Sequence, residues 1–125
     1  MTVAYARDRV AFGRPIGSFQ AVKHLLADEA MHLEAAKAVA AAAARAVATG
    51  ADDAPAVVHM AAAHLGERGP ALAQVCLQVH GGIGYTWEHD LHLLLRRIRS
   101  DALLLGEPAW HREQLCRWHG LGGTA

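Results

Sequence analysis

The sequence predicts an all-α protein, an antiparallel bundle of three to four main helices. Three observations carry that prediction. Apolar residues recur at intervals of three and four, and alanine, the strongest helix former, dominates the composition. Glycine and proline fall between the periodic stretches, where helices stop. No segment alternates with period two for long enough to make a strand.

Residues 2–11 read as a helix that stops at Gly13-Arg14-Pro15, because proline pushes the residue before it out of the α region. At about ten residues such a helix is marginal alone in water, and it reads as the tail of a longer one. Ser18 is the expected N-cap of a long helix reaching about Thr49. Phe19, Val22, Leu25, Leu26 and Leu33 recur along it at helical spacing, with Lys23, Asp28, Glu29 and Glu34 between them. Residues 35–48 are alanine apart from Lys37, Val39, Arg45 and Val47. This stretch either lets a neighbouring helix approach closely or forms an exposed face of low information, and composition leaves both open.

Gly50 ends that helix, and Asp52-Asp53-Ala54-Pro55 opens a third, acid first and proline in the first turn. The third helix is expected over about 55–79, with a kink or break near 69, where Gly66, Gly69 and Pro70 fall. His80-Gly81-Gly82-Ile83-Gly84-Tyr85 is a tight glycine turn. A further helix runs from about Glu88 to Leu104, ended by Gly106 and Pro108. A short amphipathic segment, 109–118, precedes the glycine-rich end GLGGTA, which is expected to fray.

The chain has 125 residues, twelve Lys and Arg against twelve Asp and Glu, and nine histidines. The balanced charge creates no field for a polyanion, so nucleic acid is not expected as a partner. Hydrophobic residues at 53% and charged residues at 19% exclude a disordered chain. No apolar run approaches the roughly 18 residues that span a bilayer, and the N-terminus carries Arg7, Asp8 and Arg9 in place of a signal-peptide core. Cys76 and Cys116 stand 40 positions apart without a CxxC, which reads as reduced thiols and a cytoplasmic protein. Cys76, among Val75, Leu77 and Val79, is expected to be a buried structural thiol.

His89 and His92, with Glu88, can share a helical face, but no HExxH or Cys/His pairing appears, so no metal site is expected. The other histidines, among them His59 and His111, read as surface or capping residues. Gly81-Gly82-Ile83-Gly84 follows a helix, so it fails as a dinucleotide fingerprint, which needs a strand before it. Its physical content survives, because consecutive glycines let a ligand or another chain come close to backbone. Arg96, Arg97 and Arg99 with Asp101 read as a solvated helix face.

Two blocks carry a resemblance. Residues 5–20, YARDRVAFGRPIGSFQ, continuing AVKHLLAD, resemble the start of the C-terminal domain of flavin-dependent acyl-CoA dehydrogenases. Residues 77–97, LQVHGGIGYTWEHDLHLLLRR, resemble that family's second signature, in matching order and separation. The resemblance implies a helical bundle that packs on FAD and forms much of the subunit interface. It implies an oxidoreductase of lipid metabolism that desaturates an acyl-CoA thioester between its α and β carbons. By the same resemblance, Arg9 contacts the flavin pyrophosphate, Phe12 packs beside the adenosine, and Gln20 hydrogen-bonds the cofactor. Gln78, Gly81 and Gly82 approach the FAD of a neighbouring subunit.

The departures shape the expectation as much. Many members carry the catalytic base as a glutamate just before a glycine in the loop after the last block, and here Leu105 precedes Gly106. Leucine cannot take a proton, and Glu107, two residues on, falls where the family often has threonine. Other members place the base on the helix upstream of the Tyr5 block. The family's N-terminal helical and middle β-domains have no counterpart in residues 1–125, which are expected to form a single C-terminal helical domain. The chain is then a fragment, a truncated reading frame or a split subunit.

The expected chain is therefore inactive alone, with a homo-oligomer or a longer acyl-CoA dehydrogenase subunit as its partner. The TWEHDLH wording resembles heteromeric members, including steroid side-chain dehydrogenases. The rival readings are a non-catalytic assembly module and, from the histidines, a metal- or haem-binding bundle. Apolar faces at 19–33 and 91–105 argue for a dimer or higher oligomer.

Overall fold

A computed structural model describes residues 1–121. Five helices follow one another, with one tiny hairpin between the first two. Helix α1 spans Thr2–Asp8, α2 Gln20–Thr49, α3 Ala54–His80, α4 Leu91–Leu104 and α5 Pro108–Trp118. The bundle is all-α, as the periodicity predicts.

Helix α3 is the axis of the molecule: α1, α2, α4 and α5 all pack against it. Its buried residues are small, with Ala56, Ala61, Ala62, Ala63 and Ala73 beside Leu77. Small side chains on the central helix let its neighbours approach closely, which a bulkier stripe would prevent. The alanine-rich half of α2 takes part in this packing. Ala36, Val39, Ala42, Ala43 and Ala46 form a half-buried stripe at helical spacing, while the opposite side is exposed. Of the two readings left open by composition, close packing holds for that stripe and exposure for the rest.

The chain departs from the sequence expectation at six places. Residues 2–11 are not one helix. The helix ends at Asp8, and Val10–Ala11 (β1) pairs antiparallel with Arg14–Pro15 (β2) around Phe12-Gly13. Both turn residues have positive φ, 54° and 78°, the signature of a type I′ hairpin. Ser18 is not the N-cap of α2. A short 3-10 turn over Ile16–Ser18 delivers Phe19 to that position, and the Ser18 hydroxyl is buried without a hydrogen-bond partner among the described residues.

Of the kink or break expected near residue 69, the break does not occur, and α3 runs continuously through Pro70. Pro70 has no N–H to donate to the Gly66 carbonyl four residues earlier, so the helix continues with that one hydrogen bond missing. The glycines serve packing. A Cβ on Gly66 would lie 3.2 Å from the Pro108 ring, and one on Gly69 would lie 3.2 Å from Ile98. There α5 and α4 lie close against the axis. Helix α4 begins at Leu91 rather than Glu88, with Asp90 as its N-cap, and the His89 ring accepts the Leu91 N–H at 3.2 Å.

The histidines supply the fifth departure. His111, expected at the surface or as a cap, is a core residue, 5% exposed, and His80 is another at 3%. Cys76 is half-buried rather than buried, and both cysteines are free. At the C-terminal end, Gly120 takes a left-handed conformation and Leu121 N–H reaches back to Cys116 O, so α5 is closed. The expected fraying of the last glycines concerns residues 122–125, outside the described residues.

Candidate functional site

The hairpin and the first turn of α2 build an apolar cavity of about 400 Å³ against the last turns of α3. Phe12, Ile16 and Phe19 line one side, and Gln78 and Val79 the other. Two residues that the sequence places 66 positions apart, Phe12 and Gln78, thus face one space.

Phe12 is the most unusual residue of the site. It holds a left-handed backbone, which strains a bulky side chain by about 1–3 kcal/mol. Its ring is 96% exposed, touching Phe19 edge-on at 6.3 Å between centroids. A fold that sought only stability would place glycine or asparagine here and bury the ring. Strain combined with an exposed aromatic is the signature of a side chain presented to something outside the bundle.

The hairpin is pinned from behind. Ile16 N–H donates to Arg9 O at 2.8 Å, and Arg9 N–H donates to Tyr5 O at 2.8 Å. Gly17 lies against α1 so closely that a Cβ there would sit 2.8 Å from Ala6 O. The Arg9 side chain is exposed and makes no ion pair among the described residues. The Arg14 guanidinium stacks over the Phe19 ring at 4.0 Å, a cation–π contact. Gln20 is exposed as the first residue of α2, directly after Phe19. Arg9, Phe12 and Gln20 therefore share the hairpin end of the molecule, with Gln78 across the cavity. Arg14 and Phe19 belong to this surface too, and the sequence reading did not single them out. The signal available was the cluster of Arg7, Arg9 and Arg14 around two aromatics.

Gly81 and Gly82 lie outside the cavity lining, at the C-terminal end of α3. Gly81 has φ 62° and ψ −143°, a conformation open essentially to glycine alone. A Cβ on either residue would meet nothing within 4 Å, so backbone here faces open space. Behind them, Gly84 is buried and within 3.1 Å of His80 Cβ were it to carry a side chain.

The α4–α5 turn has a different character. Leu105 ends α4, 53% exposed, beside the still more exposed Leu103 and Leu104. Its carbonyl accepts a hydrogen bond from His111 Nε2 at 2.7 Å. With Nε2–H committed there, a neutral His111 accepts at Nδ1, and His59 donates from its own Nδ1 at 2.9 Å. Glu107 caps α5 through its backbone, and its side chain has no hydrogen-bond partner among the described residues. The arginine cluster on α4 is a solvated face: Arg97 bonds both oxygens of exposed Asp101 at 2.8 Å, and Arg96 lies over the Trp87 ring. The Asp101 hydrogen bond and charge hold the Arg97 guanidinium above its already high ordinary value. No group of three or more His, Cys, Asp or Glu capable of holding a metal occurs among the described residues. No helix of these residues is long and apolar enough to cross a membrane.

The model of the acyl-CoA dehydrogenase C-terminal domain matches residues 1–119. The chain belongs to the acyl-CoA dehydrogenase family. It is similar to acyl-CoA dehydrogenase IpdE2 of Mycolicibacterium smegmatis, with 44% identity over 129 residues, covering 94% of this chain and 35% of that protein. In structure it resembles a chain of the ChsE4–ChsE5 complex from Mycobacterium tuberculosis, with a TM-score of 0.90 at 32% identity. That match covers 99% of this chain and 34% of the other. It also resembles PigA, solved with FAD and proline, at a TM-score of 0.88 and 27% identity, covering 98% of this chain and 32% of PigA. The chain spans about a third of the length of these acyl-CoA dehydrogenase relatives. Its bundle is that of the family's C-terminal domain, in a family of flavoprotein oxidoreductases.

Proposed function

We propose that residues 1–125 are the single C-terminal helical domain of an FAD-dependent acyl-CoA dehydrogenase, contributing cofactor contacts and an oligomer interface. The observation that carries this reading is Phe12, strained, exposed and facing Gln78 across one cavity. The residues present suit part of a flavin dinucleotide. An aromatic ring is offered for adenine, the unpaired Arg9 guanidinium suits a pyrophosphate, and Gln20 and Gln78 supply amides for hydrogen bonding. Gly81 and Gly82 offer open backbone where a side chain would stand in the way.

The flavin, when bound, accepts a hydride from the β-carbon of an acyl-CoA thioester. This chain's own part is to bind and orient: Arg9 holds phosphate charge, Phe12 covers an apolar face, and the glutamines fix rotation. It supplies no proton acceptor at Leu105, the position at which many members carry the base. The chain alone is therefore expected to be inactive toward acyl-CoA. Desaturation of any acyl-CoA by the purified chain would overturn that part of the reading.

A second reading, a partner subunit in a heteromeric acyl-CoA dehydrogenase, is favoured by the same Leu105 and by the resemblance to the ChsE4–ChsE5 complex. The exposed leucines 103–105 and the groove lined by Leu26, Leu33, Leu94, Leu95 and Ile98 are apolar surface suited to assembly. Size-exclusion light scattering with an absorbance spectrum, with and without added FAD, tests both. A yellow species that keeps flavin through the column supports the cofactor reading. A colourless oligomer indifferent to FAD favours the assembly module, and a monomer without flavin counts against both cofactor retention and self-assembly.

A further inference from the structure

The end of α3 contains a histidine that a stability-seeking core would not choose. His80 is 3% exposed. Its Nδ1–H donates to Cys76 O at 2.7 Å, one turn back along the helix. That bond fixes Nε2 as an acceptor, and Nε2 is buried with no hydrogen-bond partner among the described residues. Leaving a polar atom buried and unpaired is unfavourable, and a phenyl ring would fill the same space without it. The ring is held by neighbours instead. Tyr5 stacks on it at 4.4 Å with an interplanar angle of 25°, and His89 closes against it at 4.5 Å. The Tyr5 hydroxyl also donates to the His80 carbonyl at 3.3 Å, one of the orphan acceptors at the helix end.

Three elements meet on this one residue: α1 through Tyr5, the last turn of α3 through Cys76, and the segment before α4 through His89. The next residue is Gly81, whose φ of 62° begins the turn, and Gly84 folds back to within contact of the His80 side chain. The direction in which Gly81 and Gly82 present their backbone is set by where the His80 carbonyl and ring are fastened. We infer that His80 is a positioning residue for the Gly81-Gly82 turn, fastened by Tyr5, Cys76 and His89 to aim open backbone at a bound cofactor. The inference rests on the flavin reading for what the turn is aimed at, and on geometry alone for the positioning.

The test separates the two. His80→Phe keeps the stacking ring, removes the unpaired nitrogen and cuts the tie to Cys76. Its melting temperature is expected to stay within about 2 °C of the parent or to rise. The amide resonances of Gly81 and Gly82 in a ¹H–¹⁵N spectrum are expected to move, and FAD affinity to fall about tenfold. A buried histidine that served the core alone would behave in the opposite way. Melting would drop while the Gly81 and Gly82 amides stayed in place, and that result overturns the inference. Tyr5→Phe, which deletes only the hydroxyl and retains the ring, guards against an unfolded variant. It must shift the same two amides, and if they are unmoved the inference fails. A parent chain that retains no FAD removes the flavin reading, while the amide criterion still decides the positioning.

Discussion

At the Phe12-Gly13 turn the chain holds an exposed aromatic in a left-handed conformation, while at the Leu105-Gly106 turn a buried histidine fastens an ordinary backbone. Both turns use a positive-φ glycine, 78° at Gly13 and 94° at Gly106. Around Gly13 no would-be Cβ contact lies within 4 Å, whereas at Gly106 His111 Nε2 stands 3.4 Å away. The first turn is strained and open. The second is relaxed and closed, and its exposed side chains are leucines.

That contrast can be broken by substitution, starting where the effect is largest. His111→Ala removes the anchor of Leu105 O and the partner of His59 and leaves a cavity. A loss of about 3 kcal/mol is expected in chemical denaturation. A loss below about 1 kcal/mol would mean that the second turn is not fastened as described. Gly17→Ala drives a methyl group onto the Ala6 carbonyl, which is backbone and cannot swing aside. It is expected to destabilise by about 2–3 kcal/mol and to loosen the hairpin. Wild-type stability and wild-type flavin retention in that variant would show that the close approach is dispensable.

Phe12→Gly should go the other way. Relieving the left-handed strain gains about 1 kcal/mol, partly offset by the greater freedom of glycine when unfolded. Urea midpoints check the sign, and the same variant should retain less FAD. A less stable protein would remove strain as an argument for function. Leu105→Glu has the smallest expected effect, within about 0.5 kcal/mol, because the side chain is more than half exposed. Thermal melting checks this, and a large loss would place Leu105 in a packed interface.

The long helices were legible because their ends are marked locally: Gly50 closes α2 in a left-handed conformation, and Pro55 sits in the first turn of α3. The hairpin was not legible. Its strands are two residues each, and Phe12 replaces the asparagine that would announce a type I′ turn. Pro70 signalled a kink or a break, but one missing hydrogen bond does not end a helix against which α4 and α5 both pack. The burial of His111 depends on His59, 52 residues earlier, a pairing that no local pattern contains. Of the candidate site, Arg9, Phe12, Gln20 and Gln78 came from family resemblance. That Phe12 and Gln78 line one cavity, with Phe19 beside them, is a product of tertiary folding, as is the placing of Arg14 over the Phe19 ring.

The arrangement of every helix around α3 has a consequence for how the molecule opens. Four spokes lean on one hub, so α5 can lift away while the contact between α2 and α3 persists. Amide exchange would then proceed in separate steps for the outer helices, each with its own opening free energy. The amides of the hub around Ala61–Ala63 and Ala73–Leu77 would exchange last, when the whole bundle unfolds.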